Sequence, residues 1–394
     1  MNAMKSLAIL GRQPALGIAE LESLYGSTWP LGSHAAGLDV AADEINFLRL
    51  GGSTKLCKLL TILDTTKWGE IEKFLLKSTP EHAALLPEGK LTIGLSLYGF
   101  KETKQRIQAT GLSLKKAIKK SGRPIRLVPN QEPALNTAQV QHNKLAGELG
   151  WELVFVADNG KTYVAQTVAS QDIDSYTLRD RSRPKRDSRV GMLPPKLAQI
   201  IINLATGDAE PAGKTVLDPF CGTGVVLQES LLMGFNAYGT DLEPRMIDYS
   251  GENLDWLNEQ YELNDVEMRI EDGDATRHQW QPAPDFVACE TYLGRPYTAL
   301  PPSEQLFKNI SDCNAIISKF LRNISKQLKP GARLCIAVPA WQIKKDQFRH
   351  LPLVDSLEEI GYNQIRFERV ESQALLYYRE DQVVARELLV ITRR

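Results

Sequence analysis

The stretch Thr215–Leu242, TVLDPFCGTGVVLQESLLMGFNAYGTDL, decides the fold of this chain. It predicts a strand ending at Asp218, a glycine loop over Cys221–Gly224, a helix, and a second strand ending at Asp241. A strand, a helix and a parallel strand form a right-handed βαβ unit. Open α/β sheets bind ligands at the carboxyl ends of their strands, where this loop lies. We therefore expect a doubly wound α/β domain with its ligand over the loop.

The residues around the loop favour S-adenosylmethionine (SAM) over a nicotinamide dinucleotide. Asp241 follows the glycines by about 20 residues, the spacing at which an acid binds ribose hydroxyls in either ligand. The third glycine of the dinucleotide fingerprint is missing, and Val226 or Leu227 stands near its place. Asp218 adds a carboxylate that repels a pyrophosphate but attracts an ammonium and a sulfonium. The alternative is an ordinary βαβ turn in which the glycines only turn the chain.

The predicted cofactor site also uses the end of a third strand, over 266–270. Asp274 follows this strand, and its carboxylate can accept a hydrogen bond from an adenine amino group. A solvated turn is the alternative, because Asp and Gly are ordinary turn residues. The predicted cofactor-binding residues are Asp218, Cys221, Gly222, Gly224, Asp241, Leu242 and Asp274.

The segment Asp285–Pro296, DFVACETYLGRP, is predicted to be the fourth strand and the loop that faces the transferred methyl group. Methyl transfer to an exocyclic amine requires the amine in line with the sulfonium and acceptors for its hydrogens. Glu290 is the predicted catalytic acceptor, and Tyr292 is predicted to stack on the base. The alternative is an acid that caps a strand beside a core tyrosine.

Two basic segments predict contacts with nucleic-acid phosphates. Between Lys101 and Arg126 only Glu102 is acidic, and Gly111–Ser121 fits a helix with its lysines on the outer face. A one-sided basic helix attracts phosphates, although such lysines are more often a solvated surface. The predicted RNA-binding residues are Lys115, Lys116, Lys119, Lys120 and Arg123 in this segment and Arg183, Lys185 and Arg186 in a later polar segment.

Composition indicates a globular chain of two to three domains. The 394 residues are 43% hydrophobic and 24% charged, with a net charge of −1. The five cysteines are scattered, so we expect a reducing cytoplasm and no structural metal. No apolar run approaches the ~18 residues of a membrane span, so we expect no membrane association. The predicted organisation is an N-terminal region over 1–171, a basic linker over 172–190 and a C-terminal domain over 191–394.

Motifs along nearly the whole chain resemble the THUMP-containing tRNA guanosine methyltransferases, which modify the guanine exocyclic amine. The loop Asp218–Gly224 and the helix Pro194–Ala205 are similar to that family's SAM loop and the helix before it. The N-terminal Leu7–Gly26 resembles its opening segment, and Leu135–Leu145, LNTAQVQHNKL, resembles its THUMP strand and turn. The segment Tyr378–Val390, YREDQVVARELLV, also resembles the family.

The resemblance implies a Rossmann-like class I SAM-dependent methyltransferase domain with a seven-stranded, mostly parallel sheet, and an N-terminal α+β, ferredoxin-like and THUMP-containing RNA-binding domain. It implies transfer of a methyl group to the exocyclic amine (N2) of a guanosine in tRNA. The chain departs at the catalytic loop, where the family's Asp-Pro-Pro-Tyr is replaced by Glu290-Thr291-Tyr292. The alternatives are an adenine or cytosine amino-methyltransferase acting on DNA or rRNA, and a non-catalytic RNA-binding protein.

Overall fold

A computed structural model describes residues 3–187 and 192–394, and its contacts divide the chain into two compact units. Unit 1 comprises Met1–Pro14, Ser27–Leu48 and Ser53–Ser175. Unit 2 comprises Ala15–Gly26, Arg49–Gly52 and Tyr176–Arg394. The division differs from the predicted boundary at residue 171, because two N-terminal segments pack with the C-terminal part of the chain.

The elements of the N-terminal half follow one another in the order β1 (Ser6–Leu10), α1 (Pro14–Tyr25), β2 (Thr28–Leu31), β3 (Ala35–Leu38), β4 (Ser53–Leu63), α2 (Trp68–Ala84), β5 (Leu91–Tyr98), α3 (Lys104–Lys120), β6 (Ile125–Leu127), α4 (Thr137–His142), β7 (Gly150–Asp158), β8 (Lys161–Ser170) and α5 (Ile173–Thr177). The strands of unit 1 form one mixed sheet in the order β2-β3-β1-β4-β8-β7-β5-β6. Helices α2 and α3 bury their apolar stripes in one core cluster with β5 and β7.

The segment Leu135–Leu145 contains a short helix, α4, instead of the expected strand. Its start carries a reciprocal capping box: Gln139 N–H donates to Asn136 Oδ1 at 2.8 Å, and Asn136 N–H donates to Gln139 Oε1 at 3.1 Å. Such a box satisfies two backbone donors that a helix start otherwise leaves free. This local pairing explains why a polar segment that suggested a strand forms a helical turn.

The elements of the C-terminal half are α6 (Pro195–Thr206), β9 (Thr215–Asp218), α7 (Val225–Leu232), β10 (Asn236–Asp241), α8 (Pro244–Tyr261), β11 (Met268–Asp272), β12 (Phe286–Glu290), α9 (Ser303–Ile324), β13 (Arg333–Lys344), β14 (Gln347–Arg349), β15 (Tyr362–Gln364), β16 (Leu376–Tyr377) and β17 (Val384–Arg393). Helix α6 begins with a proline, whose missing N–H costs nothing in the first turn. It ends at Gly207, which has a positive φ of 60°.

The sheet of unit 2 has the main strand order β11-β10-β9-β12-β13-β17-β15, with β14 on β13 and β16 on β17. The pairs from β11 to β13 are parallel, and the pairs made by β17 are antiparallel. The α/β class is therefore confirmed. The expected seven-stranded, mostly parallel sheet is a nine-stranded mixed one, because the short strands β14 and β16 extend it.

The predicted linker 172–190 is divided between the units: residues 172–175 belong to unit 1 and residues 176–187 to unit 2. Its Arg179 is only 6% exposed and donates from Nε to Glu229 Oε1 on α7 at 2.7 Å. The polar composition suggested a solvated tether, but pairing of its charges with α7 allows the segment to be buried. Residues 188–191, at the end of the predicted linker and the start of the predicted domain, lie outside the described residues.

Candidate functional site

Three carboxylates lie at the ends of neighbouring parallel strands in unit 2. Asp218 ends β9, Asp241 ends β10 and Glu290 ends β12, and β9 is hydrogen-bonded between the other two strands. Because adjacent strands are about 4.8 Å apart, the strand order places the three acids at one edge of the sheet. The predicted loop faces this edge.

Asp218 is buried at the base of this edge, with 2% of its surface exposed. Burial raises its pKa well above the usual range, and the charges of Asp241 and Glu290 raise it further. One carboxylate oxygen, Oδ1, accepts a hydrogen bond from Phe220 N–H at 3.1 Å, which acts in the opposite direction. A buried acid beside two further acids favours a cationic ligand.

The glycine loop is fixed from α8. Ser250 Oγ donates to the Gly222 carbonyl at 2.8 Å, and Asn253 Nδ2 donates to the Thr223 carbonyl at 2.9 Å. Gly222 and Gly224 have positive φ angles of 52° and 81°, which favour glycine. Among the described residues beyond its two chain neighbours, a β-carbon at Gly222 would have only the Phe220 carbonyl oxygen within 4.0 Å. The loop therefore leaves space on its outer side for a bound molecule.

Asp241 connects the glycine loop to the following helix. Its Oδ2 accepts from Gly222 N–H and its Oδ1 from Glu243 N–H, both at 2.9 Å. A carboxylate accepts about four hydrogen bonds in total, so it retains capacity for hydroxyl groups. Burial raises the pKa of Asp241 despite these bonds. The next residue, Leu242, is 71% exposed and presents apolar surface beside the acid.

Two predicted cofactor residues are engaged in local packing. The Cys221 side chain lies in an apolar cluster with Leu227 and Leu254, so only its backbone is available to a ligand over the loop. Asp274 Oδ1 accepts from both the N–H and the hydroxyl of Thr276, at 3.0 and 2.7 Å. The hydroxyl bond is the main cause of the lowered pKa of Asp274. The geometry at Asp274 is that of the turn we considered as the alternative.

Glu290 forms an ion pair that the sequence did not suggest. Its carboxylate accepts a hydrogen bond from Arg386 Nε, and the two side chains are 15% and 9% exposed. Glu290 pairs with Ala337 on β13, and Arg386 on β17 pairs with Pro339 on the same strand. In the sequence, the only indication of this ion pair is an arginine within the apolar run of the last strand.

The loop after β12 is held to β13 at its first residue. Thr291 donates from both its N–H and its hydroxyl to the Ala337 carbonyl, each at 2.9 Å. Tyr292 is 43% exposed, and burial of the rest of its ring raises its pKa. Gly294 has a φ of 82°, and a β-carbon there would lie 2.5 Å from Asn309 Oδ1. Tyr292 is therefore accessible, whereas Gly294 has no room for a larger side chain.

The predicted RNA-binding residues of unit 1 separate into two groups. On α3, Lys116, Lys119 and Lys120 are exposed and Lys115 is half-buried. Arg123 instead donates from Nη1 to the carbonyls of Ala83 and Leu86, at 2.7 and 3.1 Å. These bonds satisfy carbonyls at the end of α2, so Arg123 does not fit the predicted phosphate contact.

The predicted basic residues of unit 2 also differ from one another. Arg186 is exposed. Lys185 Nζ lies 3.1 Å from Glu252 Oε1 and 5.2 Å from the centre of the Tyr249 ring. Arg183 is only 3% exposed, so its guanidinium is not on a surface that RNA can reach. This corrects the prediction for Arg183.

Within residues 3–187 and 192–394, no group of three or more His, Cys, Asp or Glu side chains has a geometry suited to a metal ion. None of the helices in the same ranges is long and apolar enough to cross a bilayer.

Residues 210–376 match the family described as Methyltransferase domain. Residues 129–252 also match the family described as DNA methylase. The first match contains all three strand-end acids and the glycine loop. The second ends within α8 and contains the loop but not Glu290.

Curated relatives match parts of the chain. The tRNA (guanine(10)-N2)-dimethyltransferase of Methanothermobacter thermautotrophicus is 32% identical over 149 residues, which are 38% of this chain and 39% of that protein. The protein of the same name from Pyrococcus abyssi is 28% identical over 196 residues, or 48% of this chain and 50% of that protein. The chain thus matches at most half the length of these relatives.

The crystal structure of TrmN from Thermus thermophilus is similar over the full length of both chains. Its TM-score is 0.52 and its sequence identity is 17%. At this identity the likeness concerns the fold, and it extends over both units of the chain.

Proposed function

We propose that this chain is a SAM-dependent methyltransferase that modifies the exocyclic amine (N2) of a guanosine in tRNA. The observation that carries the proposal is the convergence of Asp218, Asp241 and Glu290 around an open glycine loop. The methyltransferase-domain match and the activity for which the partial relatives are named support the same reaction.

The residues at the strand ends fit SAM. Asp218 supplies a buried carboxylate for the ammonium and sulfonium charges, and Asp241 has remaining acceptor capacity for ribose hydroxyls. Gly222 leaves open space where the ligand approaches, and exposed Leu242 offers an apolar surface for adenine. When bound, SAM supplies an electrophilic methyl group. Cys221 contributes backbone only, and Asp274 stays a prediction.

Glu290 and Tyr292 are the proposed catalytic residues. Glu290 accepts hydrogen bonds from the guanine amine and stabilises the positive charge that develops on its nitrogen. Arg386 holds this carboxylate in place through its Nε–H. Tyr292, which is exposed beside it, stacks on the base. Removing the base from its helical stack costs a few kcal/mol, which stacking and base-edge hydrogen bonds offset.

The N-terminal unit is proposed to bind the tRNA. The capped helix α4 lies in the segment that resembles a THUMP domain, and α3 carries Lys116, Lys119 and Lys120 on its exposed face. Lys115 is half-buried at the edge of the same face. Arg186 and Lys185 are proposed as further phosphate contacts. Cytoplasmic localisation stays a prediction.

Two alternatives have specific support. The DNA methylase match over 129–252 favours an amino-methyltransferase acting on adenine or cytosine. The ion pair between Glu290 and Arg386, in a loop without the two prolines, favours an RNA-binding protein that does not transfer methyl groups. The first alternative would form a different methylated nucleoside from the main proposal, and the second would form none.

Incubation with labelled SAM and separate pools of tRNA, rRNA and DNA tests the proposal. Mass spectrometry of the digested nucleosides should show N2-methylguanosine in the tRNA pool alone. Methyladenosine or methylcytidine would favour the first alternative. Binding of tRNA without any labelled nucleoside would favour the second.

A further inference from the structure

Strands β13 and β14 form a hairpin that extends past the carboxyl ends of the parallel strands in unit 2. Ala337 of β13 pairs with Glu290, the last residue of β12, and β13 continues as far as Lys344. Strand β14 turns back and pairs with this extension in antiparallel fashion. We call residues 342–349 the basic hairpin.

The basic hairpin lies in line with β12. Strand β17 occupies one edge of β13 up to Trp341, so β12 and β14 use the other edge, one after the other. Arg349 pairs with Trp341, and Glu290 pairs with Ala337, which lies four residues earlier on the same strand. At about 3.3 Å per residue, Arg349 is therefore roughly 13 Å beyond Glu290 along the strand direction.

Three cations of the basic hairpin are exposed and form no ion pair. Lys344, Lys345 and Arg349 are all exposed, and none of them is paired with an acid in the part of the chain that the structure describes. The one acid of this segment, Asp346, accepts a hydrogen bond at Oδ1 from the Tyr378 hydroxyl at 3.2 Å. The hairpin therefore presents three positive charges against one negative charge.

Aromatic rings hold the basic hairpin in position. The Phe348 ring packs against Tyr378, with ring centres 4.9 Å apart. The guanidinium carbon of Arg349 lies 4.6 Å from the centre of the Phe307 ring on α9, and Phe307 is 54% exposed. A contact through the face of a guanidinium leaves the N–H groups in its plane available to an anion. Arg349 is thus both positioned and free to donate.

We propose that the basic hairpin binds phosphates of the RNA strand next to the target guanosine. This deepens the proposed function and rests on it, because RNA must be the substrate of the adjacent site. A base that leaves its helix interrupts the stacking of its strand, and proteins hold the backbone of such strands with lysine and arginine. Three unpaired cations in line with β12 suit that backbone.

Binding of tRNA at several salt concentrations measures these contacts. In the triple variant Lys344→Gln/Lys345→Gln/Arg349→Gln, affinity at low salt should fall more than tenfold, as expected for lost charge-assisted bonds. The slope of log affinity against log salt should become shallower by about 2, because each phosphate of a single strand contributes about 0.7.

The matched control removes three exposed cations from the opposite edge of the sheet. Arg322→Gln/Lys326→Gln/Lys329→Gln alters residues at the end of α9 and before β13 begins, and it should change neither the affinity nor the slope. Both triple variants should bind SAM normally in calorimetry and melt near the wild-type temperature, because all six side chains are on the surface.

Cross-linking locates the contact on the RNA. Arg349→p-benzoylphenylalanine should attach under light to tRNA within about four nucleotides of the methylated guanosine, since roughly 13 Å corresponds to about four stacked nucleotides at 3.4 Å each. Reverse transcription of the cross-linked tRNA maps the position. Lys329→p-benzoylphenylalanine should give no cross-link.

Unchanged affinity and salt slope in the hairpin variant would overturn the inference, and the lysines would then only protect an edge strand from pairing with another chain. Equal losses in the hairpin and control variants, or a cross-link outside the expected range, would also overturn it. In these cases the wild type still methylates tRNA, so the proposed function stands. If the wild type neither binds nor methylates tRNA, the proposed function fails together with this inference.

Discussion

Arg386, on β17, donates its Nε–H to the carboxylate of Glu290, at the end of β12, across the intervening strand β13. The residues of β13 that pair with Arg386 and Glu290 are Pro339 and Ala337, respectively. Both charges are largely buried. The carboxylate of Glu290, the proposed catalytic acceptor, is therefore held by an arginine from the strand on the far side of β13.

We expect Arg386→Met to destabilise the protein strongly. It leaves the Glu290 carboxylate buried and unpaired, which typically costs about 3–5 kcal/mol. The double variant Glu290→Gln/Arg386→Met should recover most of this loss, because it removes both charges. The measurement is the free energy of unfolding in urea. Equal destabilisation of the single and double variants would show that the arginine acts through packing alone.

Glu290→Gln should reduce methyl transfer while leaving SAM binding unchanged. The amide presents a weaker acceptor to the amine, and loss of such catalytic assistance typically costs about a hundredfold or more in rate. Single-turnover rates and calorimetry give the two quantities. Glu304→Gln, an exposed acid at the start of α9, is the matched control. Normal turnover in Glu290→Gln would exclude this residue as the acceptor.

Binding of SAM should strengthen as the pH rises through the raised pKa of Asp218. Burial keeps this acid protonated to a higher pH than usual in the free protein, whereas a cationic ligand favours its ionised form. Binding therefore releases a proton below that pKa, and the affinity levels off above it. Calorimetry in buffers of different ionisation enthalpy measures the release. Asp218→Asn should bind weakly, with no such dependence.

Asp241→Asn should weaken SAM binding by about tenfold, since hydrogen bonds to a charged acceptor contribute about 1.5–3 kcal/mol. The amide has one oxygen, so it keeps one of the two backbone contacts and loses acceptor capacity for the ribose. Glu243→Gln, two residues away and exposed, should retain normal affinity. An unchanged dissociation constant in Asp241→Asn would limit Asp241 to holding the loop.

Glu20, on α1, should make stability decrease as the pH rises. It accepts from the N–H groups of Gly51 and Gly52 and from Asn203 Nδ2, yet burial raises its pKa from 4.5 to about 7. The folded state thus keeps a proton that the unfolded state loses. The contribution of protonated Glu20 to the free energy of unfolding is complete below about pH 4.5 and is lost by about pH 7. The change is about 3 kcal/mol.

Urea unfolding of the wild type and Glu20→Gln across that pH range checks this prediction. The difference between their unfolding free energies should fall with pH and become constant above about pH 7. A difference that does not change with pH would mean that Glu20 is ionised throughout.

The sequence was sufficient where the signal is local. Thr215–Leu242 predicted the βαβ unit, and the structure has β9, the glycine loop, α7 and β10 in that order, with β9 and β10 parallel. The ends of these strands followed from apolar runs terminated by Asp218 and Asp241. Alternation and turn residues in one short window determine such features.

Contacts between distant segments were not predictable in the same way. Arg386 and Glu290 are 96 residues apart, and their meeting depends on strand order. Arg179 and Arg183 appeared as a solvated charge run, because composition does not show that Glu229 on α7 is placed to pair with one of them. The helix α4 depends on a reciprocal cap, in which the Asn136 and Gln139 side chains each accept from the backbone N–H of the other residue, and the polar sequence pattern does not predict it.

The assignment of α1 to unit 2 has a consequence for how the chain is made. Its Glu20 is bonded to Asn203, 183 residues later. At a synthesis rate of about 5–20 residues per second, the helix leaves the ribosome roughly 10–40 s before its partner. The first helix to emerge must therefore remain unattached during translation of the whole intervening sheet, and expression of residues 191–394 alone would yield a polypeptide that lacks it.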